Sequence, residues 1–221
     1  MEFSFELLWE ILPQLLRATV VTLEATFCGF FIALVVGLVM VTFMRARARG
    51  VRIAARLVME FLRATPLLVQ VYFLFFVLPE FGISLSPFLT GVIALGCHYG
   101  AYAAEAYRAG LEAVPKGQWE AAVSLNYGRL ATYRHIVLPQ ALPPIVPSLG
   151  NIAIAMLKDT PILAAVTVTE LMFVANEIGS ERFQYTEPVT AAALIYLVLS
   201  LAAAPLINLI DRRLRPQETR A

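Results

Sequence analysis

The sequence predicts an all-α polytopic membrane protein with five spanning helices and one polar stretch that leaves the bilayer. Three observations predict it. Hydrophobic residues make up 59% of the 221 residues and charged ones only 15%, whereas a soluble domain is nearer half apolar and a quarter charged. The charges are gathered into a few segments. Between them run apolar stretches of about the 20 residues that a helix needs to cross a bilayer, or more. We read residues 1–221 as a single transmembrane domain. The net charge of +1, with no basic stripe on a soluble fold, gives no basis for a nucleic-acid partner.

Residues 1–18 read as a helix lying in the interface. Phe5, Leu8, Leu12 and Leu15 fall near one face, and Glu2, Glu6, Glu10 and Gln14 interrupt them. Those acidic residues also stand where a cleavable leader would carry basic ones. A first span is expected over 19–44, followed by a dense basic hinge from Arg45 to Arg56. A second span, 57–78, contains Thr65-Pro66, where the missing N–H of proline kinks a helix. A turn-rich loop leads to the third span, 88–107. There Gly96 and Gly100 form a small-xxx-small pair suited to close helix approach. The fourth apolar region, 145–174, is interrupted by Lys158-Asp159-Thr160-Pro161 and reads as a broken helix. Residues 175–187 read as a polar loop, and a last span covers 188–210. Cys28 and Cys97 sit in apolar runs and read as small buried hydrophobes.

The stretch 110–139 is neither a membrane run nor a short linker. Pro115 opens a helix, because its absent N–H would have had no partner there, and Gly117 follows it. Ala121 and Ala122 are small enough for this helix to sit deep in a partner's groove. Asn126 tolerates the left-handed conformation of a sharp turn. A second amphipathic helix is expected to run to Leu138 and end at Pro139. Glu120-Ala121-Ala122, then Asn126, then Ile136 and Leu138-Pro139 resemble the coupling-loop signature of ABC importer permeases (E-A-A, three residues, G, nine residues, I-x-L-P). Every spacing fits. The departure is Asn126, which stands where that pattern has glycine.

Orientation is read independently, from the arginines and lysines. Arg45, Arg47, Arg49, Arg52 and Arg56 lie in the hinge. Arg108, Lys116, Arg129 and Arg134 flank or lie in the coupling stretch, and Arg212, Arg213, Arg215 and Arg220 lie in the tail. Arg17 and Arg182 alone stand opposite. This places the hinge, the coupling stretch and the C-terminus in the cytoplasm and the N-terminus outside.

Further tracts extend the resemblance over nearly the whole chain. Arg63-Ala-Thr65-Pro66-Leu-Leu-Val-Gln70, Ala103-Ala-Glu105-Ala-Tyr-Arg108-Ala-Gly110 and Leu157-Lys158-Asp159-Thr160 look like signatures of polar amino-acid permeases. Val77 to Pro87 and His98 to Tyr102 look most like the permeases of ectoine and hydroxyectoine uptake, whose relatives move arginine, histidine or glutamine. The resemblance implies the type I importer permease fold in a bacterial inner membrane. It implies a second permease subunit, identical or a paralogue, ABC ATPase subunits below, and an extracytoplasmic substrate-binding protein. It assigns Pro115, Gly117, Glu120, Ala121, Ala122, Asn126, Ile136, Leu138 and Pro139 to ATPase coupling. No G-x-x-x-x-G-K-[ST] occurs, so the chain is expected to bind no cofactor, with ATP and magnesium on the partner ATPase.

For the substrate path, ionisable groups at membrane depth are costly and usually face protein or a wet cavity. Glu105, Lys158 and Asp159 qualify, with Thr65, Gln70, His98, Tyr102 and Thr160 as neutral neighbours. An ectoine-like zwitterion offers a carboxylate to Lys158 and a delocalised cation to Glu105, Asp159 or the face of Tyr102. Each has a structural alternative. Glu105 pairs with Arg108 along the helix, Lys158 and Asp159 hold the break open, Thr65-Pro66 is a kink, and His98 is an interhelical hydrogen-bonder. The histidines lack metal spacing. Two other classes compete: a membrane enzyme using Glu105 with Asp159 as paired carboxylates, and a secondary transporter, for which an internal repeat is missing.

Overall fold

The computed structural model describes residues 3–214, and among them every regular element is helical. Helix α1 (Phe5–Met44) starts where the Ser4 side chain accepts a hydrogen bond from the Leu7 N–H. At about 1.5 Å per residue it is roughly 60 Å long, longer than any bilayer core. The separate interfacial helix expected over 1–18 is therefore absent, and α1 passes straight through Pro13. The reason is a continuous buried face. Leu7, Ile11 and Leu15, rather than Phe5, Leu8 and Leu12, point inward and continue into Ala18, Thr22 and Ala25. The hydroxyls of Thr19, Thr22 and Thr26 donate to carbonyls four residues back, which lets them be buried in this stripe. Cys28, expected to be buried, lies on the exposed face of α1; Cys97 is half-buried.

The basic hinge is a turn over residues 45–48 that leads directly into helix α2 (Arg49–Ala64), which carries Arg49, Arg52 and Arg56. The span expected over 57–78 is broken at Thr65-Pro66. Beyond the break α3 (Leu67–Tyr72) continues through a widened turn (Phe73–Val77) and a tight turn (Leu78–Phe81), and the chain bends by 104° between the two arms. Helix α4 (Pro87–Glu112) is capped by Ser86 and packs between α1 and α7. Gly96 and Gly100 permit that packing: a Cβ on Gly100 would lie 2.6 Å from Val36 Cγ1, and one on Gly96 would strike Ile32.

Helix α5 (Lys116–Ser124) and the one-turn α6 (Arg129–Thr132) follow. Pro139 does not end the second of these. The chain widens into an i→i+5 turn over Tyr133–Val137 and enters α7 (Leu138–Asp159) without a break. The same widened turn precedes Pro79. In both places it makes room for a proline ring that would strike the carbonyl four residues back. The region expected as one span over 145–174 is α7, a tight helix over Thr160–Val166, and then a reversal at Thr167, whose φ is 61°. The expected polar loop over 175–187 is largely helix α8 (Leu171–Arg182), which packs on α1 and α9. Helix α9 (Thr186–Leu214) closes the described chain; the expected tail residues Arg215 and Arg220 lie outside it.

Length and apolar composition mark α1, the run Arg129–Val166 and α9 as able to cross a membrane, and the bent α2–α3 pair as a fourth. The third expected span is α4, whose apolar character His98, Tyr99 and Tyr102 dilute; most of its length is buried among its neighbours. Four buried clusters line up along α1. One joins α1, α3, α4 and α7 at Leu95, Val71 and Met156, and another joins Val41, Tyr107, Val114, Val137 and Ala141 at the base of the coupling stretch.

Candidate functional site

Two places carry most of the polar residues singled out above. The first is the stretch 110–139. Pro115, at φ −55°, precedes α5 rather than forming its first residue, and its carbonyl accepts from the Gln118 N–H at 3.0 Å. Ala122 is fully buried against the chain's own core, while Ala121 and Glu120 face outward. The two alanines thus point to different partners. Trp119 stacks edge-on to Tyr133 with centroids 5.3 Å apart, and Gln140 Nε2 donates to Gln118 Oε1 at 3.2 Å. Both contacts seat α5 on the start of the α7 run.

The helix ends in a Schellman turn. The Tyr127 N–H reaches the Ala122 carbonyl and the Asn126 N–H reaches that of Val123, each at 2.9 Å, with Asn126 at φ 57°. This is the left-handed position that a C-terminal turn asks of Gly or Asn. Gly117 has open space where a Cβ would stand. On either side of the turn, Val123 and Leu125 before it and Leu130 after it are 76%, 69% and 83% exposed. Val137, between Ile136 and Leu138, is buried; Leu138 and Pro139 are exposed.

The second place is a polar seam along α4. Gln70 Nε2 donates to the Leu62 and Thr65 carbonyls at 2.7 and 3.0 Å and lies 3.1 Å from His98 Nδ1. Gln70 therefore ties together the break at Thr65-Pro66, and the Thr65 hydroxyl back-bonds to Phe61. The rings of His98, Tyr99 and Tyr102 cluster with centroids 5.3–5.9 Å apart. The Tyr99 hydroxyl donates to Asp159 Oδ2 at 2.6 Å.

At the other end of the seam Glu105 accepts two hydrogen bonds from Arg108, at 2.7 and 3.0 Å, and lies 3.6 Å from Arg63. The Arg63 guanidinium sits 5.8 Å over the Tyr102 ring. Glu105 is already neutralised by two guanidinium groups, and the face of Tyr102 already carries a cation. The paired-carboxylate arrangement of Glu105 with Asp159 is not formed either, since each is engaged by different partners. Lys158 is exposed on α7 and forms no ion pair or side-chain hydrogen bond among the described residues.

Thr160 belongs to a separate, deeper network. Its hydroxyl donates to Leu157 O and meets the Tyr196 hydroxyl at 3.1 Å, and Tyr196 donates to Glu170 at 2.6 Å. Glu170 is fully buried and caps α8, accepting from the N–H groups of Met172 and Phe173. The Thr22 hydroxyl accepts from the next one, Leu171 N–H, at 3.0 Å. The sequence reading missed Glu170, Tyr99 and the role of Arg63. A carboxylate directly before Leu-Met-Phe was the available signal for the cap. At the far end of α1, Arg182 binds Glu10 through two nitrogens, and this pairing raises the guanidinium above its ordinary range. No group of histidine, cysteine and acidic residues among the described residues is arranged to hold a metal ion.

The chain as a whole is similar to known proteins. Residues 33–216 match the family described as binding-protein-dependent transport system inner membrane component. The chain is 44% identical to the probable amino-acid ABC transporter permease protein y4tG of Sinorhizobium fredii, over 91% of this chain and 87% of that one. It is 33% identical to the glutamine transport system permease protein GlnP of Escherichia coli, over 97% and 99%. A solved amino acid ABC transporter with histidines superposes with a TM-score of 0.90 at 34% identity, covering 96% of this chain and all of that one.

Proposed function

The chain belongs to the family of binding-protein-dependent transport system inner membrane components, as a permease of an amino-acid ABC importer with the type I fold and no ATP site of its own, and from this premise we propose how it works and what it carries. The hinge, α5 and the C-terminus face the cytoplasm and the N-terminus faces outward, as the distribution of arginines and lysines supports. Two ATPase subunits, which hold ATP and magnesium, seat α5 from below. A second permease, identical or a paralogue, completes the pore, and an extracytoplasmic binding protein delivers the substrate.

One observation carries the coupling role. A short helix stands between α4 and α7 with Val123, Leu125 and Leu130 uncovered, while Ala122 at its base is locked into the core. Exposed apolar groups of this kind mark a partner's seat. Closure of the ATPases pushes on Glu120 and Ala121. The push passes through Ala122, Trp119 and Tyr133 to α4 and α7, and the rigid helices tip to switch access. Pro115, Gly117 and Asn126 set the entry and exit of the lever, and Ile136, Leu138 and Pro139 join it to α7.

The substrate is an amino acid or an amino-acid-like zwitterion. Lys158, uncovered on α7, meets the carboxylate, and Asp159, steered by Tyr99, meets the cationic end. Gln70, His98, Tyr102, Thr65 and Thr160 hold the surrounding helices in register. Ectoine or hydroxyectoine is the finer reading, supported by the tracts Val77 to Pro87 and His98 to Tyr102. Uptake of labelled ectoine into proteoliposomes of the assembled transporter, in competition with arginine, glutamine and histidine, tests it. Ectoine is expected to compete best; stronger competition by glutamine or histidine overturns the ectoine reading and leaves the amino-acid permease.

A further inference from the structure

A recess of about 490 Å³ opens where α1 ends, lined by Arg45 and Arg47 from beyond its last turn and by Arg129, Trp119, Tyr127 and Tyr133 from the coupling stretch. That volume lies within the range of small-ligand pockets. No acidic residue lines it. None of the three arginine side chains forms an ion pair or a hydrogen bond among the described residues. Three exposed guanidinium groups around one opening with no carboxylate concentrate positive charge there, and an anion is the favoured occupant. The depth of the opening narrows the choice of anion. Leu38, Val39 and Phe43 are exposed apolar residues in the last turns of α1, and Arg45 follows directly, so the hydrocarbon boundary falls at the mouth of the recess. Tryptophan and tyrosine favour that boundary, and here they form its walls.

We propose that this recess binds the phosphate of an anionic phospholipid headgroup. Arg45, Arg47 and Arg129 donate to the phosphate oxygens, and Trp119, Tyr127 and Tyr133 enclose the glycerol. Basic pockets at such a level take anionic headgroups. Because Trp119 and Tyr133 also seat α5, a bound lipid braces the base of the coupling helix. The inference needs that the chain spans a membrane and that the recess stays open beside Val123, a lining residue that the proposed ATPase seat shares.

Trp119 is a built-in reporter. The chain has two tryptophans, and the other, Trp9, is exposed near the opposite end of α1, so Trp9→Phe leaves Trp119 alone. The full chain is placed in nanodiscs of phosphatidylcholine that contain an equal fraction of either phosphatidylglycerol or phosphatidylcholine brominated high on the acyl chain. Brominated phosphatidylglycerol is expected to quench Trp119 about fivefold more, the partition one well-placed arginine supplies. The preference disappears in R45Q/R47Q/R129Q and survives in R45K/R47K/R129K, with circular dichroism confirming that both variants are folded. Equal quenching by the two lipids, or a preference untouched by the glutamine variant, overturns the proposal. Loss of the preference on adding inorganic phosphate would assign the recess to a free anion instead. Its loss on assembly with the ATPase would assign it to that interface. Either result also overturns it.

Discussion

The hydroxyl of Tyr99 donates to Oδ2 of Asp159 at 2.6 Å and so fastens the last residue of α7 to the middle of α4. Asp159 is half-buried and sits where the regular helix gives way to the tight turn at Thr160. A hydrogen bond to a charged acceptor is worth about 1.5–3 kcal/mol. Tyr99→Phe keeps the ring in its cluster with His98 and Tyr102 and removes only that bond. Substrate uptake by the assembled transporter is expected to fall by at least about tenfold while the chain stays folded. Unchanged uptake would show that Asp159 needs no steering.

Gln70 holds the break between α2 and α3 by donating to the carbonyl of Leu62, which Pro66 leaves without a helical partner, and to that of the extended Thr65. Gln70→Leu leaves both carbonyls unpaired and is expected to lower stability by about 1–3 kcal/mol. Gln70→Glu is expected to match it, because a carboxylate cannot donate. Thermal melting of the detergent-solubilised transporter, with limited proteolysis across Thr65-Pro66, reads the effect; a melt equal to that of the parent would contradict this role.

Asn126 holds a positive φ at the end of α5. Asn126→Gly relieves the strain and is expected to leave coupling and stability as they are. Asn126→Val places a branched side chain in the same conformation, at a cost of about 1–2 kcal/mol, and is expected to loosen the turn and reduce ATP-driven uptake. Paired uptake assays of the two variants decide it, and equal activity would remove the turn from the account.

Glu170 is buried and accepts from two backbone N–H groups and from Tyr196. Glu170→Gln turns one acceptor into a donor facing these donors, and a loss of about 2 kcal/mol is expected. Tyr196→Phe acts on the same network, so the double variant is expected to lose less than the two single losses together. Strict additivity in thermal melts would show that the contact is not a unit.

Much of the architecture was legible because a bilayer enforces simple rules. The long apolar runs, the break at Lys158-Asp159-Thr160 and the close approach at Gly96 and Gly100 follow from composition and residue size. The elements that were misread depend on packing between distant segments. Glu6, Glu10 and Gln14 interrupt the apolar pattern and set this segment apart, yet Leu7, Ile11 and Leu15 gain so much from α8 and α9 that α1 runs through it, Pro13 included. Residues 175–182 look polar, and only the buried stripe of Leu171, Ala175 and Ile178 makes them part of a helix. In the seam, His98, Tyr102 and Glu105 stand at i, i+4 and i+7, so the sequence alone places them on one face of a helix. Tyr99 and Arg63 carry no such signal, because their importance lies in partners on other elements.

The central claim is that α5 transmits the work of a separate ATPase, and the two adjacent alanines test it most directly. Ala121 faces outward and Ala122 is fully buried. Ala121→Trp should leave the melting temperature close to that of the parent, while Ala122→Trp should lower it through overpacking of about 1–3 kcal/mol. The deciding measurement is binding-protein-stimulated ATP hydrolysis and substrate uptake in proteoliposomes carrying Ala121→Trp. The account predicts that stimulation and uptake are both lost in a folded, assembled transporter; stimulation and uptake equal to those of the parent would contradict it.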